Sequence, residues 1–140
     1  MILLDTNVVS ELRQRRQAPD PRVVSWFAAQ PEGSAFLSAA TVLELERGTL
    51  LLERRDEDAG ARLRRWLEET VLPRFAGRVL PMDEQVAVAC APLHLSRTRP
   101  VVDMIIAATA LVHDLTLVTR NVRDFEDTGV RFFNPWMHTV

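Results

Sequence analysis

Short runs of hydrophobic residues that stop at a polar residue recur along the chain and alternate with stretches of helical spacing. Runs of two to four apolar residues are typical of strands that are buried on both faces of a parallel sheet. We predict five such strands, over residues 2–4, 35–37, 79–80, 115–118 and 130–133.

Between these runs, hydrophobic residues recur at three- and four-residue spacing, which predicts helices. We place the predicted helices after residue 5, from Asp20-Pro21, over residues 41–54, from Asp58, from Asp83 to a bend at Pro92, and over residues 102–113. The helix after Asp20 has the predicted apolar face Val23, Val24 and Phe27. Strands that alternate with helices imply right-handed crossovers. The sequence therefore predicts one α/β domain, residues 1–140, with a parallel sheet of about five strands and helices on both of its faces.

Acidic residues follow the predicted strands at the points where a ligand site is expected. Asp5 ends the first strand, Glu44 lies early in the helix after the second, Asp103 lies in the first turn after Pro100, and Asp124 follows the fourth. Ligands of open α/β sheets bind outside the carboxyl ends of the strands. Carboxylates that meet there repel one another, and hard cations such as Mg²⁺ or Mn²⁺ relieve the repulsion.

Each of these acids also has a purely structural interpretation. Asp5 is a good helix N-cap, and Thr41 with Glu44 matches a capping box. Asp103 in a first helical turn complements the helix dipole, and Asp124 suits the start of a short turn. The shared placement of the acids favours a site, but it leaves the structural alternatives open.

The composition excludes several kinds of chemistry. All 17 positive charges are arginines and tyrosine is absent, so no mechanism that needs a lysine or a tyrosyl nucleophile applies. The single cysteine, Cys90, permits no internal disulfide, which fits a reducing cytoplasm. No apolar run is long enough to cross a bilayer and no secretory signal is evident, so we expect a cytoplasmic protein with no membrane association.

Five blocks of sequence resemble a known family. Residues 1–12 (MILLDTNVVSEL), 38–48 (SAATVLELERG) and 102–110 (VDMIIAATA) resemble the motifs of PIN-domain proteins. Residues 117–125 (LVTRNVRDF) and 134–136 (NPW) are similar to the VapC/FitB branch, the toxins of type II toxin–antitoxin pairs. The blocks occur in order and with near-family spacing.

This resemblance implies a three-layer α/β/α fold and a ribonuclease that depends on Mg²⁺ or Mn²⁺. The acidic site of the family matches Asp5, Glu44 and Asp103, with Asp5 and Asp103 as the metal ligands. A fourth acid of the family often stands where this chain has Asn121, and Asp124 is the candidate that replaces it. Whether one or two metals bind remains open.

Further residues are candidates for orienting the acids or contacting a phosphate. They are Thr6, Asn7, Thr119, Arg120 and Asn121. Arg97 and Arg99 are two more arginines within expected reach of a phosphate.

The resemblance also implies partners, namely an RNA substrate, a second copy in a homodimer, and a cognate small DNA-binding antitoxin. Apolar residues around Trp26 and over residues 50–52 are candidate surfaces for such contacts. Two other functions remain: a non-catalytic PIN-like binding module and a haloacid-dehalogenase-like phosphatase. The phosphatase is disfavoured because it expects a second aspartate where Asn7 stands and a lysine that the chain lacks.

Overall fold

A parallel sheet of five strands forms the centre of the computed structural model, which describes residues 1–13, 15 and 17–139. The strands are β1 (Ile2–Leu4), β2 (Ala35–Ser38), β3 (Val79–Leu80), β4 (Thr116–Val118) and β5 (Phe132–Phe133). Their order is β3-β2-β1-β4-β5, and every neighbouring pair is parallel. The order reverses between β1 and β4, so the switch-point crevice opens at the carboxyl ends of these two strands.

Helices connect the strands and cover the sheet. They are α1 (Thr6–Glu11), α2 (Pro21–Ala28), α3 (Ala39–Arg55), α4 (Glu57–Trp66), α5 (Leu72–Arg74), α6 (Glu84–Cys90) and α7 (Val101–Val112). A π-helical turn, Leu67–Val71, joins α4 to α5, and 3₁₀ turns cover Ala91–His94, Val122–Phe125 and Pro135–Met137. In the part of the chain that the structure describes, no helix has the length and apolar character of a membrane span.

Successive residues of the central strands contribute to two separate hydrophobic cores. Leu3 and Leu117 belong to the core that contains residues of α6 and α7. Leu4 and Val118 belong to the core that contains Val8 of α1 and residues of α2 and of the π-helical turn between α4 and α5. This division follows from the period-two alternation of side chains in a strand. The predicted α/β class and five-stranded parallel sheet are confirmed, with helical layers on both faces.

Two predicted helix starts are wrong. Ser38, not Thr41, is the N-cap of α3, so Thr41 and Glu44 do not form a capping box. Asp56, not Asp58, caps α4, and Asp58 lies inside its first turn. In both places the cap is the residue with extended backbone that directly precedes the helix, namely the last residue of β2 for α3 and the residue after α3 for α4. Glu44 is consequently beyond the first turn of α3, and its carboxylate is free for other contacts.

The predicted apolar face of α2 and the predicted ends of the fourth and fifth strands also differ from the structure. In α2 the buried residues are Val23 and Trp26, whereas Val24 is exposed, so Trp26 belongs to the core and not to a surface. Its ring packs against the ring of Phe133 at a centroid distance of 5.3 Å. The fourth strand begins one residue later than predicted, and the fifth is reduced to two residues.

Helices α3 and α4 pack closely at a glycine. A Cβ atom added to Gly60 would overlap the backbone of Glu53 on α3. Next to this contact, the guanidinium of Arg64 on α4 binds Glu46 and Glu53 of α3, at 2.6 Å and 2.9 Å. These contacts hold α3 in position, and Glu44 is carried on the same helix.

Candidate functional site

Asp5 lies at the switch point of the sheet, directly after β1. It caps α1 by accepting a hydrogen bond from the backbone N–H of Thr6 (2.8 Å), and it also accepts from Asn7 Nδ2 (3.1 Å) and Thr119 Oγ1 (2.7 Å). Only 4% of Asp5 is exposed. Burial raises the pKa of its carboxyl group, and the hydrogen bonds oppose that rise. Asp5 is therefore both a helix cap and a fixed carboxylate in the crevice.

Glu44 is brought beside Asp5 by a contact between α1 and α3. Thr6 Oγ1 donates a hydrogen bond of 2.5 Å to Glu44 Oε1, and Thr6 Oγ1 also lies 3.5 Å from Thr41 Oγ1. The charge of Glu44 contributes to the raised pKa of Asp5. Thr6 thus links the first helix to the second acidic residue.

Asp103 enters the same region from the first turn of α7. Its pKa is raised to about 6, first by burial and then by the negative charges of Asp5, Glu44 and Asp124. Among the described residues, its carboxylate has no hydrogen-bond or ion-pair partner. The structure therefore brings four predicted acids close enough for their charges to interact.

The two candidates for the fourth acidic position behave differently. Asp124 lies in the 3₁₀ turn after β4, is exposed, and makes the smallest contribution to the raised pKa of Asp103. The backbone N–H of Asn121 donates to Thr119 Oγ1 at 3.0 Å, while its side chain is exposed. Of these two positions, Asp124 is the one that adds negative charge to the site.

The predicted phosphate-contacting arginines also have separate positions. Arg120 is exposed next to the site, where its backbone N–H donates to Asn7 Oδ1 and its guanidinium lies 5.1 Å from the ring centroid of Trp136. Arg97 donates to a backbone carbonyl. Arg99 is buried, and its guanidinium donates to the carbonyl of Glu126. The expectation that Arg99 reaches a phosphate is therefore wrong.

The donor chemistry of the four acids fits a hard divalent cation, although their arrangement is not that of a coordination sphere. In residues 1–13, 15 and 17–139, no three histidine, cysteine, aspartate or glutamate side chains are placed to ligate one ion together. The donors are all carboxylate oxygens, which Mg²⁺ and Mn²⁺ prefer. Burial, and then the negative charges of Asp5, Glu44 and Asp124, raise the pKa of Asp103, and a cation bound among these carboxylates would relieve their repulsion.

Sequence patterns did not reveal the contact between Thr6 and Glu44 or the cap at Ser38. The Ser38 cap had a usable signal, because a serine directly after a short apolar run is a common N-cap. The Thr6 contact had none, because it depends on how α1 packs on α3.

The parallel α/β/α fold with acids at its switch point indicates the class of protein to which the chain belongs. Comparison with known protein families leads to the same class. Residues 2–130 match the model of the PIN domain, and the chain belongs to this family.

Two curated relatives and one solved structure are similar over nearly the whole chain. Toxin FitB of Neisseria gonorrhoeae is 43% identical, over 97% of this chain and 99% of FitB. VapC ribonuclease Y4jK of Sinorhizobium fredii is 40% identical, over 97% of this chain and 98% of that protein. A structure of FitAB bound to an IR36 DNA fragment contains a chain that superposes with a TM-score of 0.87 at 38% identity, covering 100% of this chain and 99% of that one.

Proposed function

We propose that this chain is a metal-dependent ribonuclease that hydrolyses RNA phosphodiester bonds and acts as the toxin of a type II toxin–antitoxin pair. The observation that carries the proposal is the group of four carboxylates at the switch point, in which the pKa of Asp103 is raised to about 6. Membership of the PIN family and similarity to a toxin and a VapC ribonuclease support it.

In this proposal Asp5 and Asp103 hold Mg²⁺ or Mn²⁺. When bound, such an ion supplies Lewis-acid chemistry, activating water and neutralising the charge that develops on a phosphodiester. Asp5 suits the role because its carboxylate is oriented by three donors, and Asp103 suits it because its carboxylate lacks a positive partner in the described chain.

The other side chains of the site have distinct proposed roles. Thr119 and Asn7 fix the orientation of Asp5. Thr6 occupies Oε1 of Glu44, which leaves Oε2 to accept a proton from the attacking water. Asp124 completes the negative charge at the exposed rim.

Arg120 is exposed, and its backbone N–H donates to Asn7 Oδ1, so its guanidinium is available to bind a phosphate of the RNA. Its guanidinium is restrained by the ring of Trp136, whose centroid lies 5.1 Å away. Asn121 is exposed in the same loop and can donate to the RNA backbone.

The two alternative functions, a phosphatase and a non-catalytic binding module, have less support than the ribonuclease. A haloacid-dehalogenase-like phosphatase is set aside by the PIN family match. A non-catalytic PIN-like module is the second candidate. It is disfavoured because the capping of α1 by Asp5 and the position of Asp103 in the first turn of α7 do not require four carboxylates to lie close enough to repel one another.

We further propose a small DNA-binding antitoxin and a second copy of this chain as protein partners, acting in the cytoplasm. The support is the similarity to Toxin FitB and to a chain of the FitAB structure bound to DNA.

The test is cleavage of single-stranded RNA by the purified chain. We expect cleavage with Mg²⁺ or Mn²⁺, none with EDTA, and a loss of at least about 100-fold for Asp5→Asn and Asp103→Asn. Asp58→Asn is the matched control, because Asp58 is also an acid in the first turn of a helix but its charge is not among those that raise the pKa of Asp103. Cleavage that persists in EDTA, or that both site variants retain, would contradict the proposal.

A further inference from the structure

A groove opens directly from the acidic site, between α1, α3 and α4. Its volume is about 300 Å³, at the lower end of the range for small-ligand pockets. Thr6 and Glu44 line its inner end. Apolar side chains line its floor, namely Leu45, Leu52, Leu63 and Trp66. An RNA strand with a phosphodiester at the four acids would therefore have an adjoining apolar recess within its reach.

Arginines line the same groove. Arg13, Arg15 and Arg55 contribute to its walls, and the guanidinium of Arg13 lies 5.8 Å from the ring centroid of Trp66. Arg15 lies 3.7 Å from Glu11, while Arg13 and Arg55 have no ion-pair partner among the described residues. The groove therefore carries positive charge that is not neutralised, next to a site that is negative.

The immediate surroundings of Arg13 reinforce this charge pattern. Its pKa is lowered by burial and then by the positive charges of Arg15 and Arg62. The planar guanidinium of Arg13 is partly desolvated and is held against an aromatic face, which reduces the entropy lost when it binds an anion. An anionic group is the complement that these arginines lack.

Gly48 keeps the groove open. Gly48 lies on α3 between Leu45 and Leu52, is exposed, and a Cβ atom added there would meet nothing within 4 Å. A larger side chain at this position would enter the groove without disturbing the packing of α3. Position 48 therefore offers a way to fill the groove without breaking the fold.

We propose that this groove is the subsite for the nucleotide next to the cleaved phosphodiester. Arg13 and Arg55 bind its backbone phosphate, and the apolar floor takes its ribose and base. The inference rests on the proposed ribonuclease function and adds to it where the RNA lies. Phosphates pair with arginines, and bases pack on apolar and aromatic side chains with little dependence on sequence.

Binding of a fluorescein-labelled single-stranded RNA, measured by anisotropy at several salt concentrations in EDTA, tests the phosphate contacts. We expect Arg13→Gln and Arg55→Gln each to weaken binding about fivefold and to reduce the slope of log K against log salt by about 0.7. Arg54→Gln is the matched control, because Arg54 is an exposed neighbour on α3 that does not line the groove. Its affinity and slope should equal those of the wild type.

Cleavage kinetics with Mg²⁺ test the recess itself. We expect Gly48→Leu to raise KM about tenfold with kcat nearly unchanged and to shift the preferred cleavage sites. Unfolding curves establish that each variant is folded.

The two proposals fail in distinguishable ways. If the wild type cleaves RNA and the groove variants match it in affinity, salt slope, KM and cleavage sites, the subsite is wrong and the ribonuclease function stands. If the wild type does not cleave RNA, the ribonuclease function fails, and losses of RNA affinity confined to Arg13→Gln and Arg55→Gln still assign the groove to RNA. If these variants keep RNA binding but lose a co-purifying small protein, the groove is a protein interface and the subsite is overturned.

Discussion

Thr119 and Asp5, 114 positions apart in the chain, are joined by a hydrogen bond of 2.7 Å from Thr119 Oγ1 to Asp5 Oδ2. Thr119 follows β4 and Asp5 follows β1, so the bond crosses the switch point of the sheet. The same hydroxyl accepts from the backbone N–H of Asn121. One buried threonine therefore fixes the orientation of the acid that we propose as a metal ligand and the start of the loop that carries Asp124.

Replacing Thr119 by valine should impair activity more than stability. The isosteric change removes the hydroxyl and should lower the free energy of unfolding by about 1–2 kcal/mol. Loss of a residue that orients a metal ligand should reduce RNA cleavage about 10–100-fold. Thr49→Val is the control, because Thr49 is equally buried but its hydroxyl donates to the carbonyl of Leu45. The control should lose stability and keep its activity; equal activity in Thr119→Val and wild type would contradict the role.

Two glycines should respond oppositely to the same substitution. In Gly60→Ala the new Cβ would meet Glu53 of α3, so we expect a loss of about 1–3 kcal/mol in the free energy of unfolding, despite the better helix propensity of alanine. In Gly48→Ala the Cβ meets nothing, so we expect a gain of about 0.5–1 kcal/mol. Urea unfolding of both variants measures the difference. Equal effects would mean that α3 and α4 are not closely packed at Gly60.

The sequence predicted the sheet well because each buried strand is a short apolar run that ends at a polar residue. It also placed Asp5, Glu44 and Asp103 at one edge, since carboxyl ends of parallel strands share that edge. It failed at helix starts wherever several cap residues compete. Whether Ser38 or Thr41, and Asp56 or Asp58, becomes the cap depends on the backbone where the chain leaves the preceding element.

The remaining site features depend on packing between elements that are distant in sequence. Nothing local to Arg99 distinguishes it from an exposed arginine, yet it is buried, and its guanidinium donates to the carbonyl of Glu126. The contact of Arg13 with Trp66 likewise depends on how the C-terminal end of α1 lies against α4. Such arrangements need the three-dimensional structure.

Protein partners are testable on the intact chain. Leu50 and Leu51 of α3 are half exposed and adjacent, and Leu43 is exposed on the same helix, so this helix offers apolar surface to a partner. We expect light scattering to show a dimer at micromolar concentration, and co-expression with a neighbouring short open reading frame to yield a complex that no longer cleaves RNA. A monomer at these concentrations, together with no co-purifying small protein, would count against both proposed partners.

The raised pKa of Asp103 predicts the pH dependence of stability in EDTA. The folded-state pKa is about 6 and the ordinary value is 3.8, so between these values the folded protein binds more protons than the unfolded chain. The contribution of Asp103 to the free energy of unfolding therefore falls as the pH rises from about 4 to about 6. Above about pH 6 Asp103 is ionised in the folded protein as well, and the full loss of unfolding free energy persists. Subtracting the unfolding free energies of Asp103→Asn from those of the wild type across this range isolates the effect, which should be absent below about pH 4.

Asp103→Asn with and without Mg²⁺ separates a metal ligand from a helix-stabilising acid. At pH 7 in EDTA, the substitution removes one charge from the repelling group and should raise the free energy of unfolding by about 1 kcal/mol, a value that allows for solvent screening and for the lost interaction with the dipole of α7. Asp58→Asn is the matched control in the first turn of α4, and it should lose a few tenths of a kcal/mol because only the dipole interaction disappears.

Mg²⁺ at ten times its Kd should stabilise the wild type and Asp58→Asn by about 1.4 kcal/mol and leave Asp103→Asn nearly unchanged. Thermal and urea unfolding of the three proteins in EDTA and in Mg²⁺ measure both effects, which must occur together because one group of charges causes both. If Asp103→Asn instead lowers stability in EDTA and keeps the full response to Mg²⁺, Asp103 serves α7 alone and the cation binds elsewhere.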